Sequence, residues 1–156
     1  MLKAGDKAPE FTAEDQAGNR VSLSAVLGEG KRVILYFYPK DNTSGCTAEA
    51  CSLRDGDGEL LAKGFTVVGV SPDGAGTHRR FIEKHQLPFR LLVDADHAIA
   101  EAYGTWGEKK FMGRTYMGML RTTFVIGTDG VIEKVFEKVE TKRHFEQIVE
   151  WDEARD

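Results

Sequence analysis

Residues 33–51 read VILYFYPKDNTSGCTAEAC. The first six, Val33 to Tyr38, form an unbroken apolar run of strand length, as expected of a strand buried on both faces. Asp41-Asn42-Thr43-Ser44 then supplies turn and N-cap residues. A second run of this kind, Phe65 to Val70, ends at the turn signal Ser71-Pro72-Asp73-Gly74. Between the two runs, Ala48, Leu53, Leu60 and Leu61 predict a helix, interrupted near Gly56 and Gly58. Strand, helix and strand at this spacing make a βαβ unit, whose crossover is right-handed.

Downstream, Thr77 to Gln86 reads as a helix with Phe81 and Ile82 inward, followed by a short strand at Phe89–Val93. A helix from Asp96 to Tyr103 stops at Gly104. Residues 104–120, GTWGEKKFMGRTYMGML, carry four glycines and no clear period, and read as an extended loop. Thr122–Ile126 and Val131–Phe136 flank Gly127-Thr128-Asp129-Gly130, a hairpin signal. Thr141 to Glu150 closes the chain as an amphipathic helix with Phe145, Ile148 and Val149 on one side. The first thirty residues form a small extension with one hairpin around Ala17-Gly18-Asn19. The expected architecture is α/β, a single domain over residues 1–156 with a mixed central sheet flanked by helices, which is the plan of a thioredoxin-like fold.

The whole chain bounds what this domain does. A hydrophobic content of 41% with 29% charged residues is ordinary for a soluble globular protein. Net charge is −4 and the basic residues are interspersed, so nothing points to nucleic acid or to an anionic membrane surface. The segment MLKAGDKAPEF has no apolar core of a secretion signal, and no run reaches membrane-spanning length. Two cysteines are too few for a disulfide scaffold and fit a reducing compartment, so the chain reads as cytoplasmic.

Those two cysteines, Cys46 and Cys51, stand five positions apart where the predicted helix begins. If Thr43 or Ser44 caps that helix, Cys46 falls in its first turn, where free backbone N–H groups and the positive dipole end stabilise a thiolate. The bland alternative is a small buried apolar residue. A strand–turn–helix junction at the carboxyl end of a strand weighs against it, because α/β sheets place their sites there. On an ideal helix, residues five apart have Cα atoms separated by about 8–9 Å. A disulfide needs them within about 7 Å. The pair is therefore either two independent thiols or a couple that bonds transiently through local unwinding. A metal site is disfavoured, since His78, His85, His97 and His144 are scattered over three predicted helices and the thiols lack a third and fourth ligand.

At Pro39-Lys40-Asp41-Asn42-Thr43-Ser44-Gly45-Cys46 the sequence resembles the Pro-x-x-x-Thr-x-x-Cys signature of the peroxiredoxins. The wider stretch YFYPKDNTSGCTAEACSLRD looks like the peroxiredoxin Q (bacterioferritin comigratory protein) branch, and the similarity continues in AGDKAPEF, WGEKKFMGRTYMGM and LRTTFVIGTDG. It covers nearly the whole chain. Gly127 is a minor departure, where an acidic residue is common, and it lies away from the chemistry.

The resemblance implies a thiol peroxidase in which Cys46 is the peroxidatic nucleophile and Cys51 the resolving cysteine. It further implies that Thr43 hydrogen-bonds the peroxide, Pro39 shields the reactive sulfur, and Arg121 returns from far along the chain to hold a charge beside the thiolate. The substrates would be hydrogen peroxide and organic hydroperoxides, and the reductant thioredoxin or a similar dithiol protein. No metal or organic cofactor is needed. Glu49 is a candidate partner for Arg121, and a monomer is the default state. Two further readings stay open from sequence: a general dithiol–disulfide exchanger, and a non-enzymatic protein whose helix melts on oxidation to expose apolar surface.

Overall fold

The computed structural model describes residues 1–155. Two short strands, β1 (Thr12–Glu14) and β2 (Arg20–Ser22), pair antiparallel around the expected turn. Asp15 shapes that turn by accepting from the backbone N–H groups of Ala17 and Asn19 through one carboxylate oxygen. Helix α1 (Leu23–Leu27) follows at once, capped by Ser22, whose hydroxyl accepts from Ala25 N at 3.2 Å. The sequence pattern does not mark this five-residue helix, which is too short to show a period.

The chain then enters β3 (Arg32–Phe37), α2 (Ser44–Ala62), β4 (Phe65–Ser71), α3 (Ala75–His85), β5 (Arg90–Val93) and α4 (Ala98–Tyr103). After these come β6 (Trp106–Phe111), β7 (Arg114–Met119), β8 (Thr122–Ile126) and β9 (Ile132–Phe136). A 3-10 turn at Thr141–Arg143 leads into α5 (His144–Glu153). Five strands form one sheet in the order β5-β4-β3-β8-β9, with β3 central. β3 runs parallel to β4, and β4 to β5, whereas β8 is antiparallel to both β3 and β9. This is the expected thioredoxin-like plan.

The unbroken apolar run of β3 follows from its central place. Side chains alternate across a strand, so Val33, Leu35 and Phe37 point into one core cluster and Ile34, Tyr36 and Tyr38 into the other. On the first face the sheet packs against Leu23 and Val26 of α1 and Ile99, Ala100 and Tyr103 of α4. On the second it meets Cys46, Ala50, Leu53 and Leu60 of α2, Phe81 of α3 and Ile148 of α5. Gly69 sits opposite Tyr36 in the β3–β4 register, and a methyl there would come within 2.9 Å of the tyrosine ring. Leu53 is fully buried, and its truncation to alanine would cost about 2–5 kcal/mol.

Two expectations need correction. Residues 104–120 are not an open loop: β6 pairs antiparallel with β7 from Trp106↔Met119 to Phe111↔Arg114. The two-residue turn between them, Met112-Gly113, has φ of 52° and 78°, the positive values that a tight hairpin demands. Most of the side chains of this hairpin are exposed or half-buried, so no apolar alternation marks it in sequence. Helix α2 is also not interrupted at Gly56 or Gly58. Gly56 lies where a Cβ would stand 2.0 Å from the Phe145 ring, so its glycine serves the contact between α2 and α5. Gly58 faces open space. Among the described residues, no helix is long and apolar enough to cross a membrane.

Candidate active site

The carboxyl end of β3 leads into a loop held by buried polar contacts. The Tyr38 hydroxyl donates to Asp41 Oδ1 at 2.6 Å, and Asp41 Oδ2 lies 2.6 Å from His78 Nδ1 on α3. His78 Nε2 is 2.9 Å from the Leu92 carbonyl, which can only accept, so Nε2 carries a hydrogen. Asp41 N also donates to Asp73 Oδ2 at 2.7 Å. These bonds fasten the loop to α3 and β5, and Asn42 turns the chain with a φ of 64°. Neither Asp41 nor His78 stands out in the sequence, where an Asp in a turn and a His on a helix are unremarkable.

Thr43 occupies the N-cap position of α2 with extended backbone. Its carbonyl accepts from Thr47 N at 2.8 Å, the first helical bond. Of the two candidate caps, Thr43 and Ser44, Thr43 takes the position, but its hydroxyl makes no capping bond. It donates to Lys40 O at 3.0 Å, which keeps the side chain on the loop side and leaves its oxygen lone pairs free to accept. Cys46 is the third residue of α2 and is 1% exposed.

Arg121 precedes β8. Because β8 runs antiparallel to β3, with Thr122 opposite Phe37, its first residues lie at the end of β3 where α2 begins. Arg121 Nη2 donates to Cys46 Sγ at 3.2 Å, and Nη1 donates to Glu49 Oε1 at 2.5 Å. Cys46 and Glu49 stand three apart on α2 and so share a face. Gly45 leaves room for the guanidinium, since a Cβ there would be 3.3 Å from Nη2.

One cation therefore serves two acidic groups. Burial raises the Glu49 carboxyl from 4.5 to about 7, against the opposing pull of Arg121. Burial works against the Arg121 charge as well, but Glu49 and Cys46 outweigh it and hold the guanidinium above its ordinary value. Behind Glu49 stands His144, with Nε2 3.9 Å from Oε2. His144 Nδ1 meets Gln147 Oε1 at 2.8 Å, and Nε2 meets the Thr123 hydroxyl at 2.8 Å. Its burial lowers it to about 4, so it faces Glu49 as a neutral ring rather than as an ion-pair partner. Glu49 Oε2 has no hydrogen-bond partner among the described residues.

Pro39, Lys109, Leu120, Arg121 and Glu137 line a cavity of about 390 Å³ beside this cluster. Lys109, on β6, donates to Met119 O at 2.9 Å. Burial, then Arg121, lowers its ammonium below the ordinary value, while Cys46 acts in the opposite direction. Cys51 is on the same helix as Cys46, half-buried, and both thiols are free. No group of three or more His, Cys, Asp or Glu side chains placed to hold a metal ion occurs among the described residues.

Residues 4–135 match the model of the AhpC/TSA family. The chain is 48% identical over 150 residues to peroxiredoxin Bcp of Escherichia coli K12, covering 96% of this chain and 95% of that one. This chain belongs to the AhpC/TSA family, as a peroxiredoxin of the Bcp, or Q, branch. Its fold superposes on the crystal structure of peroxidoxin BcpB from Mycobacterium tuberculosis with a TM-score of 0.86 at 32% identity, covering 100% of this chain and 99% of that one. The bacterioferritin comigratory protein of Xanthomonas campestris is similar, with a TM-score of 0.84 at 28% identity, covering 92% and 90%.

In this peroxiredoxin the structure brings Arg121 into direct contact with both Cys46 and Glu49, with Pro39 and Arg121 lining one cavity. Thr43 stands at the N-cap of the helix that carries Cys46. Cys51 is not brought to Cys46. Its Sγ lies 3.9 Å from His85 Nδ1 on α3.

Proposed function

We propose that the protein is a single-domain thiol peroxidase that reduces hydrogen peroxide and organic hydroperoxides through Cys46. The observation that carries this reading is the 3.2 Å contact from Arg121 Nη2 to a buried Cys46 Sγ at the first turn of a helix. A guanidinium stays charged at any working pH. Together with the helix-start N–H groups it meets the negative charge that develops on the departing oxygen. The Thr43 hydroxyl orients the peroxide, and Pro39 closes one side of the site. The Xanthomonas campestris relative is described for its alkyl peroxide reduction activity, in keeping with this substrate class.

In the first step the Cys46 thiolate attacks one peroxide oxygen and the O–O bond breaks. The distal oxygen leaves as hydroxide or alkoxide and takes up a proton, while Cys46 becomes a sulfenic acid. The first turns of α2 then unwind, and Cys51 Sγ attacks the sulfenic sulfur. An S–S bond forms, the S–O bond breaks and water departs. Thioredoxin or a similar dithiol protein reduces the disulfide and restores both thiols. The chemistry needs neither metal nor organic cofactor. We place the enzyme in the cytoplasm, working as a monomer.

A coupled assay that follows NADPH loss with thioredoxin, its reductase and peroxide tests the reading. Turnover is expected in the wild type and lost in Cys46→Ser. Mass mapping of the oxidised protein without reductant is expected to show a Cys46–Cys51 linkage. Peroxide-independent dithiol–disulfide exchange in the wild type, lost when either cysteine becomes serine, would point to a disulfide exchanger. Absence of peroxide-dependent turnover with a competent reductant would leave a redox-sensitive binding protein.

A further inference from the structure

Resolution needs a thiolate at Cys51, and an ordinary thiol is only a few per cent ionised at pH 7. Arg121 makes its two contacts to Cys46 and Glu49, and none to Cys51. What it does face is His85, the last residue of α3, with Nδ1 3.9 Å from its Sγ. The imidazole packs edge-on against the Phe81 ring, at 5.3 Å between centroids and 77° between planes. Arg54 Nη1 donates to the His85 carbonyl at 2.9 Å, so the end of α3 is tied to the turn of α2 that follows Cys51.

That tie belongs to a set. Ser52 Oγ accepts from Phe145 N at 3.1 Å, Arg54 holds His85, and Gly56 receives the Phe145 ring. From Ser52 onward, α2 is therefore pinned to α3 and α5 by contacts that do not depend on the redox state of Cys46. The turns before it are held in part by the Arg121–Cys46 attraction, which weakens when the thiolate becomes a neutral sulfenic acid. Unwinding that begins at Ser44 must release the Glu49–Arg121 ion pair, and then meets the ties at Ser52, Arg54 and Gly56 just past Cys51. Cys51 keeps its neighbour while Cys46 is released.

We propose that His85 is the general base for Cys51. Its Nδ1 takes the Sγ proton as the sulfur attacks the Cys46 sulfenic sulfur. The S–S bond forms, the S–O bond breaks, and the imidazolium returns its proton to the departing hydroxide to make water. The proposal rests on Cys51 being the resolving cysteine. The charged groups around the ring suit this role. Burial, then Lys84 on α3 and Arg54 on α2, hold His85 below its ordinary value, so the ring is neutral and able to accept at pH 7.

The test separates the two chemical steps in wild type and His85→Gln by rapid mixing with hydrogen peroxide from pH 5 to 9. Peroxide consumption reports attack at Cys46, and acid-quenched mass mapping reports the disulfide. In His85→Gln the disulfide step is expected to slow about a hundredfold at pH 7, the lower end of what a positioned base contributes, while the peroxide step in the same sample keeps its rate and shows the fold intact. The wild-type disulfide rate rises with the neutral imidazole and levels off above it. The variant's rate instead climbs with pH toward the ionisation of a free thiol, near 8.5. Equal disulfide rates with one shared pH profile would overturn the role of His85 alone. Oxidised wild type with no Cys46–Cys51 linkage would overturn the role of Cys51, and that of His85 with it.

Discussion

Glu49→Gln reads out the most unusual charge in the molecule. The carboxyl is fully buried, and its pKa rises from 4.5 to about 7 on folding. The native state therefore holds the proton more tightly than the unfolded chain. The stability this contributes is complete below about pH 4.5 and is lost as pH rises through about 7. Every tenfold gain in proton affinity is worth about 1.4 kcal/mol, so the loss totals about 3 kcal/mol. Glutamine keeps an acceptor for Arg121 Nη1 but cannot ionise. Unfolding of the reduced proteins in urea, repeated from pH 4.5 to 8.5, gives the difference in stability between variant and wild type at each pH. Titrations shared by the two proteins cancel in that difference, including that of His144. The difference is expected to move by about 3 kcal/mol in favour of the variant across the range, most steeply between pH 5 and 7. Parallel curves would show that Glu49 ionises as an ordinary carboxylate, and burial would fail as the cause of a raised pKa at this site.

Arg121→Met removes both guanidinium contacts. It should slow Cys46 oxidation at pH 7 by about 10²–10³-fold in stopped-flow; an unchanged rate would take Arg121 out of the site. Gly56→Ala and Gly58→Ala lie two residues apart on one helix but should move thermal stability in opposite directions. The first drives a Cβ into the Phe145 ring and costs about 1–3 kcal/mol. The second meets nothing and gains about 0.5–1 kcal/mol from helix propensity. His78→Ala strands Asp41 and the Leu92 carbonyl in the interior, and should cost about 3–5 kcal/mol in a urea titration. A cost under about 1 kcal/mol, the scale of an exposed pair, would mean the loop is not held by that contact.

The reactive end of the site is legible in the sequence because its signals are local. A buried strand, turn residues and a helix start fall within Val33–Cys51, and the apolar run betrays a central strand with two covered faces. The β8–β9 hairpin is readable for the same reason, from the turn at Gly127-Thr128-Asp129-Gly130. What stays hidden depends on contacts between distant segments. Gly56 looks like a helix breaker until Phe145, far along the chain, is seen against it. The β6–β7 hairpin is largely open to solvent, and its pattern carries no alternation to detect. Asp41, His78 and His144 are ordinary polar residues in sequence, and only the fold pairs them in the interior. Arg121 is named by resemblance to a family motif; its spacing from Cys46 says nothing until an antiparallel strand returns it there.

That return has a consequence for the protein's first moments. Cys46 and Arg121 lie 75 positions apart and meet only through the pairing of β3 with β8. Chains emerge from the ribosome amino end first. A nascent chain therefore displays its cysteine well before the arginine exists, and for that interval the sulfur lacks its charged neighbour. If Arg121 activates Cys46 as proposed, full reactivity toward peroxide arrives late in synthesis, together with the strand that completes the sheet.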